Sequence, residues 1–214
     1  MTTDNLKRCL FEQLAQIGKS MGHANRLLIL DILAQAPTQV ETLSQKLNLS
    51  LANVSKHLQH LKQSGLVVCE TQGKQRIYRL SDPDIVTLVQ TMRNIAERQM
   101  AEVSTILNEK LQPRAPLTPF NPGEIKKALQ AESITLLDVR PEDEYQAGHI
   151  DGAINIPIEE LGDQIEDLSR DKPIIVYCRG PYCLWSYEAV ENLRQHDFDA
   201  SRMADGYPDW EQTR

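Results

Sequence analysis

Cysteine is scarce in this chain. Four thiols among 214 residues are too few for a disulfide scaffold. Long hydrophobic runs are missing too. The longest, residues 134–139 and 174–178, fall far short of the roughly 20 residues that span a bilayer, which excludes a helical membrane protein. The first twenty residues interrupt their apolar positions with Asp4, Lys7, Arg8 and Glu12, so there is no signal-peptide core. The expectation is a cytoplasmic chain with reduced thiols and no membrane partner. With 41% hydrophobic and 25% charged residues, its composition is that of an ordinary globular protein rather than a disordered one. The length allows one large domain or two small ones.

Charge decides between these. The formal net charge is −7, but it is divided unevenly. Residues 1–112 carry 13 Lys/Arg against 10 Asp/Glu, whereas residues 113–214 carry 10 against 20, giving +3 and −10. A polyanion would be drawn to the first part and repelled by the second. Between the two, Pro113, Pro116, Pro119 and Pro122 recur every third residue. That spacing suits polyproline II and predicts a semi-rigid spacer of roughly 30 Å. Two domains are therefore expected, residues 1–112 and 123–214, with a linker over 113–122.

The first domain reads as mainly α. Leu6, Leu10, Leu14, Ile17 and Met21 form one helical stripe, and residues 25–34 form a buried helix. Val40, Leu43 and Leu47 mark a short third helix. A turn over residues 48–50 leads into a fourth, with Ser50 as N-cap, Val54, Leu58 and Leu61 buried, and Gly65 as the left-handed stop. Two short strands follow, residues 66–70 and 76–80, turning at Gly73. A long helix then runs from residue 84 almost to the linker, about 40 Å. With the first helix it is expected to form a dimer interface.

Two helices about a tight turn, followed by a two-stranded wing, make a winged helix-turn-helix. The fourth helix sets Lys56 and Gln59 opposite its buried edge, flanked by Asn53, Ser55 and His60, with Ser50 at its start. Such groups suit base edges, and a cation suits phosphate. Lys74, Gln75 and Arg76 place two more cations at the wing tip. The segments HANRLLILDIL, LSLANVSKHLQHLKQSGLV and GKQRIYRL resemble the winged-helix domain of ArsR/SmtB-type bacterial repressors. The resemblance implies a homodimer on double-stranded operator DNA, released by an inducer. Metal-sensing relatives use a Cys-x-Cys near the third helix or His and Asp in the last one. Here residues 40–47 hold no Cys, and residues 83–111 hold neither His nor Cys. His57 and His60 share the DNA-reading helix with no thiol nearby, so no metal and no cofactor is expected.

The second domain alternates strands (134–139, 153–156, 174–177) with helices (123–130, 142–147, 158–168, 184–195), an α/β pattern around a central parallel sheet. The strand IIVY delivers Cys178 into a loop ahead of a helix N-terminus, with Arg179 adjacent, an environment that favours thiolate. The segments LLDVRPEDEYQAGHIDGAINIP, YCRG and DGYPDW resemble a single rhodanese domain. That resemblance implies that Cys178 attacks the sulfane sulfur of thiosulfate or polysulfide and holds it as a persulfide. Asp138, Arg140, His149, Gly206 and Trp210 match family positions and read mostly as architecture, Asp138 and Arg140 as an ion pair holding loops.

The loop Gly180-Pro181-Tyr182-Cys183-Leu184-Trp185-Ser186 departs from the short sulfurtransferase loop, in which Ser or Thr comes earlier. Leu184 stands six residues after Cys178, where a phosphatase or arsenate reductase would need arginine, so oxyanion hydrolysis is excluded. Cys183 is a candidate resolving thiol, or else a small buried hydrophobe. Cys9 and Cys69 form a candidate second thiol switch. The reading that combines both domains is a transcriptional repressor whose rhodanese domain senses or processes reactive sulfur through Cys178. The alternatives are a working sulfurtransferase carrying a DNA-binding domain, and an inert rhodanese module that binds partners.

Overall fold

The computed structural model describes residues 3–213, and the chain divides into two compact units, Met1–Gln90 and Thr91–Arg214. The first unit opens with α1 (Thr3–Met21) and α2 (Ala24–Leu33). The Nδ1 of His23 accepts from the Asn25 N–H at 3.1 Å and caps α2. A short strand β1 (Thr38–Gln39) precedes α3 (Val40–Leu47), which ends on Asn48 in the left-handed region at φ 51°. The tight turn sets up α4 (Leu51–Gln63), and Gly65 at φ +75° ends it, letting the Leu66 N–H return to the Leu61 carbonyl. Ile29, Leu43, Val54, Leu58 and Leu61 are fully buried in one core.

The wing is β2 (Val67–Gln72) and β3 (Gln75–Leu80), antiparallel in the register Cys69 to Tyr78, with Gly73 in the left-handed region at the tip. The strand β1 adds to the far side of β3, giving the order β1-β3-β2. Two residues are too short to show a period, so the sequence gives no sign of this third strand.

Next comes α5 (Asp84–Gln99), whose last nine residues belong to the second unit. The single long helix expected here is not continuous. Met100 is extended (φ −108°, ψ 108°), α6 (Ala101–Thr105) restarts, and the chain widens to a π-helical turn (Ile106–Leu111) and tightens to a 3₁₀ turn (Gln112–Arg114). Leu111 packs on the core of the second unit and Ala115 is buried within it, a destination a straight helix does not serve.

The proline-rich stretch is likewise no spacer. Leu117 pairs in parallel with Arg202, the Thr118 N–H donates to the Arg202 carbonyl, and the Arg202 N–H donates to the Pro116 carbonyl. Proline lacks a donor, but an edge needs donors on one side only, and Thr118 supplies one. Pro122 opens α7 (Pro122–Gln130) behind a capping box of Asn121 and Glu124.

The second unit is a parallel sheet of order β5-β4-β6-β7 flanked by helices. The strands are β4 (Thr135–Asp138), β5 (Ile154–Asn155), β6 (Ile174–Tyr177) and β7 (Ala200–Arg202). The helices are α8 (Glu142–Ala147), the one-turn α9 (Leu161–Gln164), α10 (Leu184–Gln195) and α11 (Tyr207–Glu211). All four residues of β6 are buried, as a central parallel strand requires. The strands end together, and the Cys178 loop and the segment before α11 leave from that edge.

In the first unit the buried His57 lies 4.5 Å from the His23 ring, and its Nδ1 has no hydrogen-bond partner. Burial, then the nearby His23, Arg26, His60 and Lys56, hold its pKa below the ordinary histidine value of about 6.5. The unfolded chain therefore binds the proton more readily than the folded one. The stability that neutral His57 supports is present above pH 6.5 and is lost as the pH falls below it. Thermal unfolding followed from pH 8 to pH 5 is expected to show a falling Tm for the winged unit, with a shallower slope in His57→Gln.

Candidate functional site

The helix α4 turns its hydrophobic edge inward and leaves Lys56, Gln59 and His60 exposed, with Asn53 and Ser55 half-buried at the margins. Ser50 accepts from the Asn53 N–H at 3.3 Å, so its oxygen serves the helix cap. Lys74, Gln75 and Arg76 are exposed at the wing tip. Behind them the cross-strand pair of Arg79 and Glu70 closes at 3.0 Å. This arrangement presents hydrogen-bonding groups on a helix and cations on a hairpin, the geometry that reads a groove and grips phosphate.

Cys9 and Cys69 are free, half-buried thiols on α1 and β2. Cys69 faces Tyr78 across the wing. No disulfide joins the two.

In the second unit, β6 ends by placing Cys178 at 2% exposure, and the next five residues turn back so that Cys183 becomes the N-cap of α10. The two sulfurs are bonded, with Cα atoms 6.3 Å apart, inside the reach of about 7 Å that a bridge allows. The turn is closed a second time by the Cys183 N–H donating to the Gly180 carbonyl at 3.0 Å. The Tyr187 hydroxyl donates to the Pro181 carbonyl, and the Ser186 hydroxyl to the Cys183 carbonyl. Leu184 is about half exposed, and Trp185 packs against the core.

Arg179 is not the free cation beside the thiol that the sequence suggests. Its guanidinium makes a bidentate pair with the buried Glu144 at 2.9 and 2.5 Å and lies over the Trp185 ring at 4.4 Å. The anion-favouring environment at Cys178 thus loses that charge. Glu144 sits in an acidic run that reads as solvated surface, so its burial is invisible before folding.

Two neighbours hold the loop from below. Gly206 lies against it so closely that a Cβ would overlap the backbone of Arg179 and Gly180, which requires glycine there. The Tyr207 N–H donates to the Cys178 carbonyl at 3.1 Å. Asp209 accepts from the Gly206 N–H at 3.0 Å and pairs with Arg93 of α5 at 3.2 Å. From the outer side, Tyr182 lies under Arg93 at 5.8 Å. Its phenol is shifted upward by burial and by its hydrogen bond to Glu97. Arg93 and Glu97 stand four apart on a helix, a pattern indistinguishable in sequence from an ordinary surface ion pair.

Deeper in, Asp138 and Arg140 are both fully buried and paired at 2.6 Å. Arg140 also donates to the Gly148 carbonyl and lies over the Tyr207 ring at 4.5 Å. His149 stacks on Tyr145 at 3.8 Å, its Nδ1 3.0 Å from the Tyr145 carbonyl. Trp210 is buried in the core against α7. Among the described residues no three His, Cys, Asp or Glu side chains gather as a metal site, and no helix is long and apolar enough to cross a membrane.

Comparison with known proteins agrees with both halves. The profile "Bacterial regulatory protein, arsR family" matches residues 23–68, and the profile "Rhodanese-like domain" matches residues 121–213. The HTH-type transcriptional regulator Rv0324 of Mycobacterium tuberculosis is 37% identical over 204 residues, 95% of this chain and 89% of that one. The chain belongs to the arsR-family transcriptional regulators that carry a C-terminal rhodanese domain. The regulator is also similar to the thiosulfate sulfurtransferase GlpE of Shewanella oneidensis, 30% identical over 84 residues, 39% of this chain and 81% of that one. Among solved structures, the homodimeric winged helix-turn-helix domain of Mb0332 from Mycobacterium bovis is 32% identical. It covers 45% of the regulator and 89% of that fragment, with a TM-score of 0.42. The regulator is thus a DNA-binding transcription regulator with a winged helix and a rhodanese fold.

Removing one partner of the Asp138–Arg140 pair leaves the other charged and dry. Asp138→Asn is expected to destabilise the rhodanese unit by about 3–5 kcal/mol, read as a lower urea midpoint.

Proposed function

We propose that the regulator is a cytoplasmic, homodimeric repressor that releases operator DNA when Cys178 takes up sulfane sulfur and closes on Cys183. The observation that carries this reading is the loop itself. Two cysteines lie within bonding reach, and between them Tyr182 lies under Arg93 of α5.

The chemistry balances without a cofactor. The Cys178 thiolate attacks the sulfane sulfur of thiosulfate, forming a new S–S bond while sulfite leaves with the old bond's electron pair. The Cys183 thiolate then attacks the Cys178 sulfur, expelling hydrosulfide and leaving the disulfide. Two thiols are oxidised and the sulfane sulfur is reduced. Overall, two thiols and thiosulfate give a disulfide, sulfite, hydrosulfide and one proton. A polysulfide donor enters the same way, a shorter polysulfide leaving in place of sulfite. Closing the bond shortens the path between residues 178 and 183 and draws Tyr182, Arg93 and Glu97 into one set of contacts. The signal acts only through the free-energy difference it makes between the DNA-binding and released forms.

DNA is contacted by Lys56, Gln59 and their flanking residues in the groove, with Lys74 and Arg76 on phosphate. The acidic rhodanese domain adds like-charge repulsion toward DNA. Dimerisation is supported by α1, where Leu6, Leu10, Phe11 and Leu14 are each more than half exposed. A second reading, a sulfurtransferase that autoregulates its operon, is favoured by the similarity to GlpE. Under it, Cys178 would turn over with an external thiol acceptor and DNA affinity would not follow the thiol state.

Operator binding measured on the reduced protein, before and after thiosulfate or polysulfide, separates the two. The repressor reading expects binding weakened at least about tenfold, with loss of two hydrogens across Cys178 and Cys183 by intact mass. Cys178→Ser should bind DNA as the reduced protein does and ignore the donor. Tyr182→Phe should still form the bond yet lose most of the change in affinity. A bond that forms in the wild type with unchanged DNA affinity sinks the repressor reading and leaves the enzyme. Separately, Lys74→Ala should weaken binding across all DNA sequences and reduce the salt slope by about 1. Leu10→Glu combined with Leu14→Glu should sediment as a monomer.

A further inference from the structure

A half-open cavity of about 200 Å³, lined only by residues of the second unit, lies beside the cysteine loop. It is walled by Arg93, Asn94 and Glu97 of α5, by Pro181 and Tyr187 beside the loop, and by Arg202 at the end of β7 and Asp205 after it. At that volume it is smaller than the roughly 300–1,000 Å³ of pockets for drug-sized molecules, and suits an ion of a few heavy atoms.

Arg202 is the unexplained group. It is only 4% exposed, its Nη1 donates to the Met203 carbonyl at 3.0 Å, and its guanidinium lies over the Tyr187 ring at 4.2 Å. Its Nε is buried without a hydrogen-bond partner, and among the described residues no carboxylate pairs with it. The buried Arg140 is matched with Asp138, and the half-buried Arg93 and Arg179 with Asp209 and Glu144. A ring face and one carbonyl do not neutralise a dry cation, and burial drags its pKa downward.

We propose that this cavity is a binding site for a small tetrahedral or pyramidal oxyanion, held by Arg202. The wall also constrains the ligand's protonation. Glu97 is already bonded to Tyr182, and Asp205 has its carboxyl shifted upward by burial and by Asp209. Two carboxylates beside one free guanidinium repel an ion that is fully ionised. An oxyanion that keeps a proton accepts from Arg202 and donates to Asp205. Phosphate and sulfite both meet that description at neutral pH, and sulfate does not. Sulfite would be the product of sulfur uptake at Cys178, whereas phosphate would be an independent effector.

The test uses full-length Cys178→Ser, kept reduced and anaerobic, titrated calorimetrically with phosphate, sulfite and sulfate in a chloride background of constant ionic strength. This variant cannot form the persulfide, so failure of the sulfur-sensing reading would not alter the result. Saturable binding of phosphate or sulfite, with sulfate weaker, is expected, and the tighter of the two ions identifies the source. Adding Arg202→Met should weaken binding about tenfold or more. Because that change disturbs the sheet as well, Asp205→Asn provides the second test: removing the like charge should tighten sulfate several-fold while leaving Tm unchanged. Heats no larger than those of chloride, or sulfate binding indifferent to Asp205→Asn, would overturn the site.

Discussion

The ion pair of Asp138 and Arg140 organises the rhodanese half. Both side chains are removed from water, so each requires the other, and the pair forms only where β4 and the chain after it run as they do. Arg140 then reaches two further places, the Gly148 carbonyl and the face of Tyr207. Tyr207 in turn donates its N–H to the Cys178 carbonyl. A charge at the end of a central strand thereby fixes the position of a cysteine at the end of the neighbouring strand. A surface ion pair could not do this, because solvent would screen it and its side chains would wander.

The cysteine loop is held on all sides by the same kind of constraint. Glu144 takes Arg179 off the sulfur, Gly206 supports the loop's backbone, and Glu97 holds Tyr182. The segment so held is residues 179–182, between the two cysteines, and its ends are fixed by the end of β6 and the start of α10. Under the proposed repressor reading, the Cys178–Cys183 bond carries a signal only if it biases the chain between two discrete arrangements.

Much of this was legible before folding. The 3.6-residue period of α1 and α4, Ser50 and Gly65 at the ends of α4, and the glycine in the wing are local signals, and local physics enforces them. The strand IIVY and the cysteine behind it were equally plain. What escaped was decided by tertiary contact. The strands β1 and β7 are two and three residues long and pair because a neighbour offers an edge. The linker prolines suggest a free spacer, yet a neighbouring strand captures residues 116–118. The break at Met100 contains neither glycine nor proline; it lets Leu111 pack on the second core and Ala115 enter it.

The site shows the same division. Cys178 and Cys183 were visible as chemistry, whereas Arg93, Glu97, Glu144 and Asp209 looked like solvated surface. Charged residues have no signature in sequence that separates a solvent-facing role from a buried one, since the partner lies up to 116 residues away, as it does for Arg93 and Asp209. Arg202 is the extreme case. Its pattern as the third residue of a short strand predicts nothing, and its importance lies in a partner that the folded chain does not supply. In a unit carrying −10 formal charge, a buried arginine left without a carboxylate is not for want of acidic residues. Glu97 and Asp205 stand in the same cavity wall without pairing with Arg202, and the proposed anion, keeping a proton, is the kind of partner that answers all three.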